Sequence, residues 1–116
     1  MNIYDDANNF AKALKNCSEV VQLREASKKI EGNSSNKKML EDFRKIQLEA
    51  YTENVQKGEI SKETREKFEK LGSILSMNPE ISNYLMAEQK FGVLWEDIMK
   101  LFNQAIGVDL GFQENK

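Results

Sequence analysis

The sequence contains no histidine, and this absence narrows the chemistry open to the chain. Histidine is the commonest general base and the commonest protein ligand for metals. Cysteine is almost as scarce, because Cys17 is the only one. One thiol forms no intrachain disulfide and does not by itself hold a four-ligand zinc ion or an iron–sulfur cluster. A lone thiol is compatible with a reducing cytoplasm, where we expect the protein to reside.

Carboxylates are plentiful, but their spacing does not suit catalysis. Neighbouring residues of a helix point about 100° apart, so adjacent carboxylates diverge instead of meeting at one substrate atom. The sequence also lacks a glycine-rich phosphate loop and an aspartate-rich calcium loop. We therefore predict a non-enzymatic protein with no cofactor and no metal site. The adjacent carboxylate pairs are Asp5-Asp6, Glu41-Asp42 and Glu96-Asp97.

The chain has no strong excess of charge and no long apolar run. Its 17 basic and 19 acidic residues give a net charge of −2. Direct nucleic-acid binding is not expected, because it requires a basic surface that neutralises phosphates. No stretch reaches the 18 apolar residues of a membrane span, and residues 1–6 do not resemble a signal peptide.

The residues that are present predict an all-α fold. One proline and six glycines interrupt a sequence rich in strong helix formers. A length of 116 residues predicts a single helical domain over 1–116, with residues 113–116 frayed. We expect a small helical bundle of about five helices, two of them long. The expected segments are 4–15, 18 to a stop at 32–33, 35–57, 61 to a break at 78, and 79–106.

Polar residues and glycines mark the expected helix ends. Ser18 and Ser61 are predicted N-caps, and Gly32 is predicted to end the second helix in a left-handed conformation. Asn78 followed by Pro79 is the clearest start signal in the sequence.

Two further segments leave alternatives open. Gly72 either marks a close approach by another helix or is simply tolerated. The tail at 108–112 is apolar at alternate positions and can pack back on the bundle.

The fifth helix carries an unusually wide apolar arc. With Ile81 at heptad position a, apolar residues occupy a, d, e and g, which is more than half of the circumference. Glu88 lies inside this arc, where it either fixes the register through a lysine or glutamine or extends to the edge of the apolar surface. The candidate interaction surface is Tyr84, Leu85, Glu88, Phe91, Leu94, Trp95, Ile98, Met99 and Phe102.

Three readings of this arc remain. A second copy of the chain covers it in a homodimer, which is the reading we prefer because a short chain has few helices to surround a long one. Alternatively, the arc is the core of a monomer. As a third reading, Tyr84, Phe91, Trp95 and Met99 line a pocket for a small molecule or cofactor.

The sequence resembles the YlbF/YmcA superfamily of small Firmicute proteins, and most closely its YheA-like branch. The likeness covers nearly the whole chain and implies long antiparallel helices in a cytoplasmic protein that tends to dimerise. It also implies a non-enzymatic accessory role in RNA processing or developmental control, with an RNase Y-type or paralogous partner. Some relatives carry an iron–sulfur cluster through cysteines, and the lone Cys17 departs from that pattern. The matching segments are N-I-Y-D-x-A-N at 2–8, K-M-L-x-x-F-R-x-x-Q at 38–47 and N-P-x-I-x-x-Y-L-x-A-E-Q at 78–89.

Overall fold

Five helices and no strand make up the part of the chain that the computed structural model describes, residues 2–109. The helices match the segments predicted from apolar periodicity to within a few residues, and the expected all-α class is confirmed. The tail segments at 110–112 and 113–116 lie outside the described residues, and Val108 is exposed. The helices are α1 (Ile3–Asn16), α2 (Ser18–Glu31), α3 (Ser34–Lys57), α4 (Lys62–Ser76) and α5 (Pro79–Ile106).

The helix ends are set largely by the residues that mark them in the sequence. Ser61 caps α4 by accepting a hydrogen bond from the Thr64 amide, as predicted. Asn78 caps α5 and Pro79 occupies its first turn. Gly58 and Gly107 end α3 and α5 with φ of 77° and 75°, which is the left-handed region that glycine enters without steric cost.

Two of the predicted helix ends are wrong. Gly32 has a φ of −77°, because its amide continues the right-handed turn by donating to the Lys28 carbonyl. Ser18 is the first residue of α2, not its cap, and its hydroxyl donates to Glu19. The cap position belongs to Cys17, whose extended backbone separates α1 from α2.

The helices form two arms. In the first, α2 packs along α5 in the opposite direction: Gln22 and Lys90 share one groove, and Ala26 and Ala87 share the next. We call α1, α2 and α5 the long arm. In the second, α3 and α4 form an antiparallel hairpin around Gly58, which we call the hairpin arm.

A small core joins the two arms where the loops between them lie. Ile30, Phe43, Leu75 and Ile81 come from four different helices and are buried together. Beside this core, the buried Asn36 donates to the Glu80 carboxylate and accepts from the Asn78 amide. The core therefore occupies one end of each arm.

The arms diverge from this junction. Asn36 of α3 bonds Glu80 of α5, and two turns later Arg44 bonds Glu88, so both contacts join residues 44 apart. The two helices thus leave the junction in the same direction. The molecule measures 54 × 37 × 17 Å, whereas a closed four-helix bundle spans about 20 Å in both short directions. We call the space between the diverging α3 and α5 the cleft.

Candidate interaction surface

The first turns of α5 are used inside the chain. Ile81 is fully buried in the core, and Tyr84 and Leu85 are partly buried against it. Burial raises the pKa of the Tyr84 phenol, and the neighbouring charge of Glu88 raises it further. These two members of the predicted surface therefore hold the arms together.

Glu88 closes the junction between the arms. Its carboxylate accepts a hydrogen bond from the Arg44 guanidinium, which also donates to Gln47 at 3.1 Å. The hydrogen bond to Glu88 raises the pKa of Arg44 above its ordinary value. The expected polar pair within the apolar arc is present, although its partner is an arginine on α3 and not a lysine or glutamine. Its position makes the pair the apex of the cleft.

Beyond this pair, aromatic side chains follow along the α5 wall of the cleft. Phe91 and Trp95 stack with their ring centroids 5.8 Å apart. Trp95 is 41% exposed and Phe102 is 45% exposed. Leu94 and Met99 are half-buried and Ile98 is buried, so the C-terminal half of α5 is only partly covered by its own chain.

Helix α1 extends this uncovered surface. None of its residues is buried, although its apolar side chains recur on one face. Phe10 meets Phe102 edge to face at 5.8 Å between ring centroids. The spacing of the apolar residues in the sequence indicates this stripe on one face of α1, but not that it stays exposed.

The opposite wall of the cleft carries an apolar stripe that the predicted surface omits. Leu48, Tyr51 and Val55 are 65%, 68% and 65% exposed. They follow Arg44 at intervals of four, seven and eleven residues, which places all four within an arc of about 60° on α3. The sequence signal was present, because Leu48 and Val55 lie off the stripe that α3 buries.

The chemistry of the described residues is sparse. No group of three or more potential ligands within residues 2–109 is arranged to hold a metal ion. Cys17 is half-buried at the start of α2. No atom of another helix within residues 2–109 lies within 4 Å of the position that a β-carbon on Gly72 would take, so the close helix approach considered for this residue does not occur in that part of the chain. None of the described helices is long and apolar enough to cross a bilayer.

Grooves on the described surface are shallow and open. One of about 470 Å³ runs along α2 and is floored by Val20, Leu23 and Tyr84. Of the four residues predicted for a ligand pocket, Tyr84 reaches this groove, while Phe91 and Trp95 stack on each other. The groove gives little enclosure for a small molecule, since ligand pockets bury most of their ligand.

Known proteins share both the sequence and the fold. A model of the family described as "Control of competence regulator ComK, YlbF/YmcA" matches residues 3–107. A UPF0342 protein of Clostridium tetani is 52% identical over 116 residues, with all of both chains covered. A UPF0342 protein of Clostridium novyi is 51% identical over 109 residues, covering 94% of this chain and 96% of that one.

Two solved structures have a similar fold at low sequence identity. The DUF964 protein of unknown function from Bacillus stearothermophilus aligns with a TM-score of 0.73 and 15% identity, covering 90% of this chain and 91% of the other. YheA from Bacillus subtilis aligns with a TM-score of 0.62 and 23% identity, covering 91% and 96%. These two likenesses show the fold alone.

Proposed function

We propose, from the premise that this chain belongs to the YlbF/YmcA family, that it is a non-enzymatic, homodimeric interaction module. Its role is that of a regulatory accessory factor in developmental control or RNA processing. The description of the family, which concerns control of the competence regulator ComK, supports a regulatory role. The proposed location is the cytoplasm, and the proposed partner is a paralogue or an RNase Y-type endoribonuclease.

The amount of accessible surface is the observation that carries the proposal. The chain exposes 9104 Å², whereas a compact monomer of 13.4 kDa exposes about 6,500 Å². Eight residues lie outside the described range, and the surface that they would expose in a fully unfolded chain equals about 1,400 Å² of this difference. An excess of more than 1,000 Å² per chain remains, which matches the area that each partner buries in a stable homodimer.

The exposed side chains have the composition of an interface. Trp95, Phe102 and Tyr51 are large aromatic residues, a type enriched in interface cores, and each is at least two-fifths exposed. Exposed apolar side chains grouped on one face of a helix are typical of sites of association. The non-enzymatic part of the proposal draws on the diverging carboxylates and on the lack of histidine.

Light scattering at micromolar concentration tests the homodimer. We expect a mass twice that of the 13.4 kDa chain. The variant Phe102→Glu should shift the mass toward one chain, because a carboxylate cannot be buried without a partner. A wild-type mass of one chain would refute this part of the proposal.

Affinity capture from the native cell tests the partner. Tagged wild-type protein should enrich a YlbF/YmcA-family paralogue or an RNase Y-type endoribonuclease, identified by mass spectrometry. A tagged Val93→Glu variant, altered at an exposed site on the side of α5 opposite Phe102, is the control and should capture the same proteins. Recovery of self-copies alone would refute the adaptor role.

A further inference from the structure

We infer that the cleft between the two arms is the seat of a second copy of this chain, so that one arm of each protomer inserts between α3 and α5 of the other. The inference rests on the homodimer proposed above and adds which surfaces it buries. It assigns the α3 stripe Leu48, Tyr51 and Val55 to the same interface as Trp95 and Phe102 of α5.

The first argument is that the two walls start from one contact. Arg44 and Glu88 bond each other at the apex, so each marks the face of its helix that points into the cleft. Leu48, Tyr51 and Val55 lie on the Arg44 face of α3. Phe91, Trp95 and Phe102 fall within about 60° of Glu88 on α5. Both apolar faces therefore border the same space.

The second argument is the chemistry of the walls. Below the apex, where Arg44 and Glu88 neutralise each other, the wall positions that follow carry no charge, and most of them are apolar or aromatic, the exceptions being Gln47, Gly92 and Asn103. A nucleic acid or a strongly charged peptide would find no complementary charge there. The occupant that fits is a helix with an exposed apolar face, and each arm of this chain carries such a face.

The third argument is symmetry and area. In a two-fold dimer every patch is buried twice, so two arms inserted into two clefts leave no patch open for further copies. Mutual insertion of the arms buries both exposed walls in one interface, whereas pairing of α5 arms alone leaves the α3 stripe exposed. The area in excess of a compact monomer is large enough to include both walls.

A pair of matched charge substitutions tests the inference. Tyr51→Glu places a carboxylate on the α3 wall, and Gln56→Glu adds the same charge to the same helix about 140° away. Phe102→Glu alters the α5 wall, with the exposed Val93→Glu on the opposite side of α5 as its control. We expect both wall variants to weaken dimerisation at least tenfold and both controls to remain dimeric by light scattering.

The fluorescence of Trp95, the only tryptophan, provides a second measurement on the same variants. Trp95 lies on α5, on the other wall from Tyr51. If an inserted arm covers both walls, Tyr51→Glu releases that arm and shifts Trp95 emission to longer wavelength. Gln56→Glu should leave the emission unchanged. Helix content by circular dichroism checks folding, and Val55→Glu replaces Tyr51→Glu if the latter loses helix.

The outcomes separate this inference from the proposed function. If Phe102→Glu is monomeric while Tyr51→Glu stays dimeric with unchanged Trp95 emission, the cleft is empty in the dimer. That result overturns the inference and leaves the homodimer standing. Dimers in both wall variants also overturn it, because another surface then holds the copies together. A monomeric wild-type protein overturns both.

Discussion

At the scale of single residues, Glu53 shows how a surface carboxylate organises the far end of the hairpin arm. Its two oxygens accept hydrogen bonds from the Ser61 amide, at 2.8 Å, and from the Thr64 hydroxyl. The bond from Thr64 is the main reason that the pKa of Glu53 is below its ordinary value, followed by the bond from the Ser61 amide. One side chain of α3 thereby orients the first turn of α4.

The lowered pKa predicts how Glu53 affects stability in acid. A carboxyl group that loses its proton more readily in the folded state stabilises the fold above its ordinary pKa, and this contribution is lost as the pH falls through the folded value. Glu53→Gln should therefore flatten the decline in stability between neutral pH and acid. Urea unfolding at stepwise lower pH measures the effect. Glu49→Gln, at an exposed position one turn earlier on α3, should retain the wild-type decline.

Residue-level prediction from the sequence succeeds where one side chain decides the backbone. Ser61 and Asn78 cap helices as expected, since their oxygens accept nearby amide hydrogens. Gly32 fails because only one further residue, Asn33, separates α2 from α3. With Asn33 already capping α3, the chain has no need of a left-handed residue at Gly32. The conformation of Gly32 is therefore set by the start of the neighbouring helix α3, which the residues around Gly32 did not reveal.

At the scale of elements, the start of α5 ties the two arms together. The Asn78 Oδ1 atom accepts from the amides of Glu80 and Ile81 at 3.1 and 3.2 Å. Its amide nitrogen donates to the Asn36 Oδ1 atom at 2.7 Å. Asn78 is thus a cap for its own helix and a link to α3.

This double role predicts a large effect of Asn78→Ala. Loss of the cap and of a partly buried hydrogen bond should lower the free energy of unfolding by about 2 kcal/mol, measured with urea. Asn2→Ala is the matched control. Asn2 caps α1 by accepting a hydrogen bond from one amide at 2.9 Å, and α1 has no buried residue. We expect the control to cost about 0.5 kcal/mol. Equal losses would contradict the link to α3.

The exposure of α1 predicts its local stability. A helix without buried residues opens more easily than one that contributes to the core, and its amides exchange faster with solvent. In the Phe102→Glu variant, which the proposed homodimer predicts to be monomeric, α1 amides should exchange at least tenfold faster than those of residues 81–85. Hydrogen exchange followed by mass spectrometry measures this ratio. Equal protection of both segments would show that α1 is held by contacts of its own chain.

The five helices could be predicted from the sequence. The sequence did not show that α5 is buried in its first turns and partly exposed near its end. Periodicity shows which face of a helix is apolar, and α5 carries such a face from Ile81 to Ile106. It does not show what covers that face at each turn. The first turns pack on Phe43 and Leu75, whereas Trp95 and Phe102 stay half open. The angle between the arms depends on long-range contacts such as Arg44–Glu88, which no local pattern contains.

At the scale of the whole molecule, the diverging arms determine shape and surface. The radius of gyration is 17.9 Å, compared with about 13 Å for a compact domain of this length. A core formed where two arms meet encloses little volume, and only seven hydrophobic residues of the described part are buried. Most of the apolar surface of α1 and of the end of α5 is left for contacts outside the chain.

A small core of this kind predicts that stability depends on concentration. If the proposed homodimer forms, association favours the folded state, and the melting temperature of the wild-type protein should rise with each tenfold increase in concentration. The Phe102→Glu variant should melt at a lower temperature that does not change with concentration. Differential scanning calorimetry over a hundredfold range compares the two. A wild-type melting temperature independent of concentration would refute coupled folding and association.

The order of the helices along the chain also sets the order in which they find partners. The hairpin of α3 and α4 lies in sequence between α2 and α5, so it is synthesised before the pair of α2 and α5 can form. Until α5 emerges, α2 lacks the helix against which it packs. At roughly 5–20 residues per second, the 28 residues of α5 take a few seconds to synthesise. During that interval the face of α2 that α5 later covers is open to water and to any other amphipathic helix.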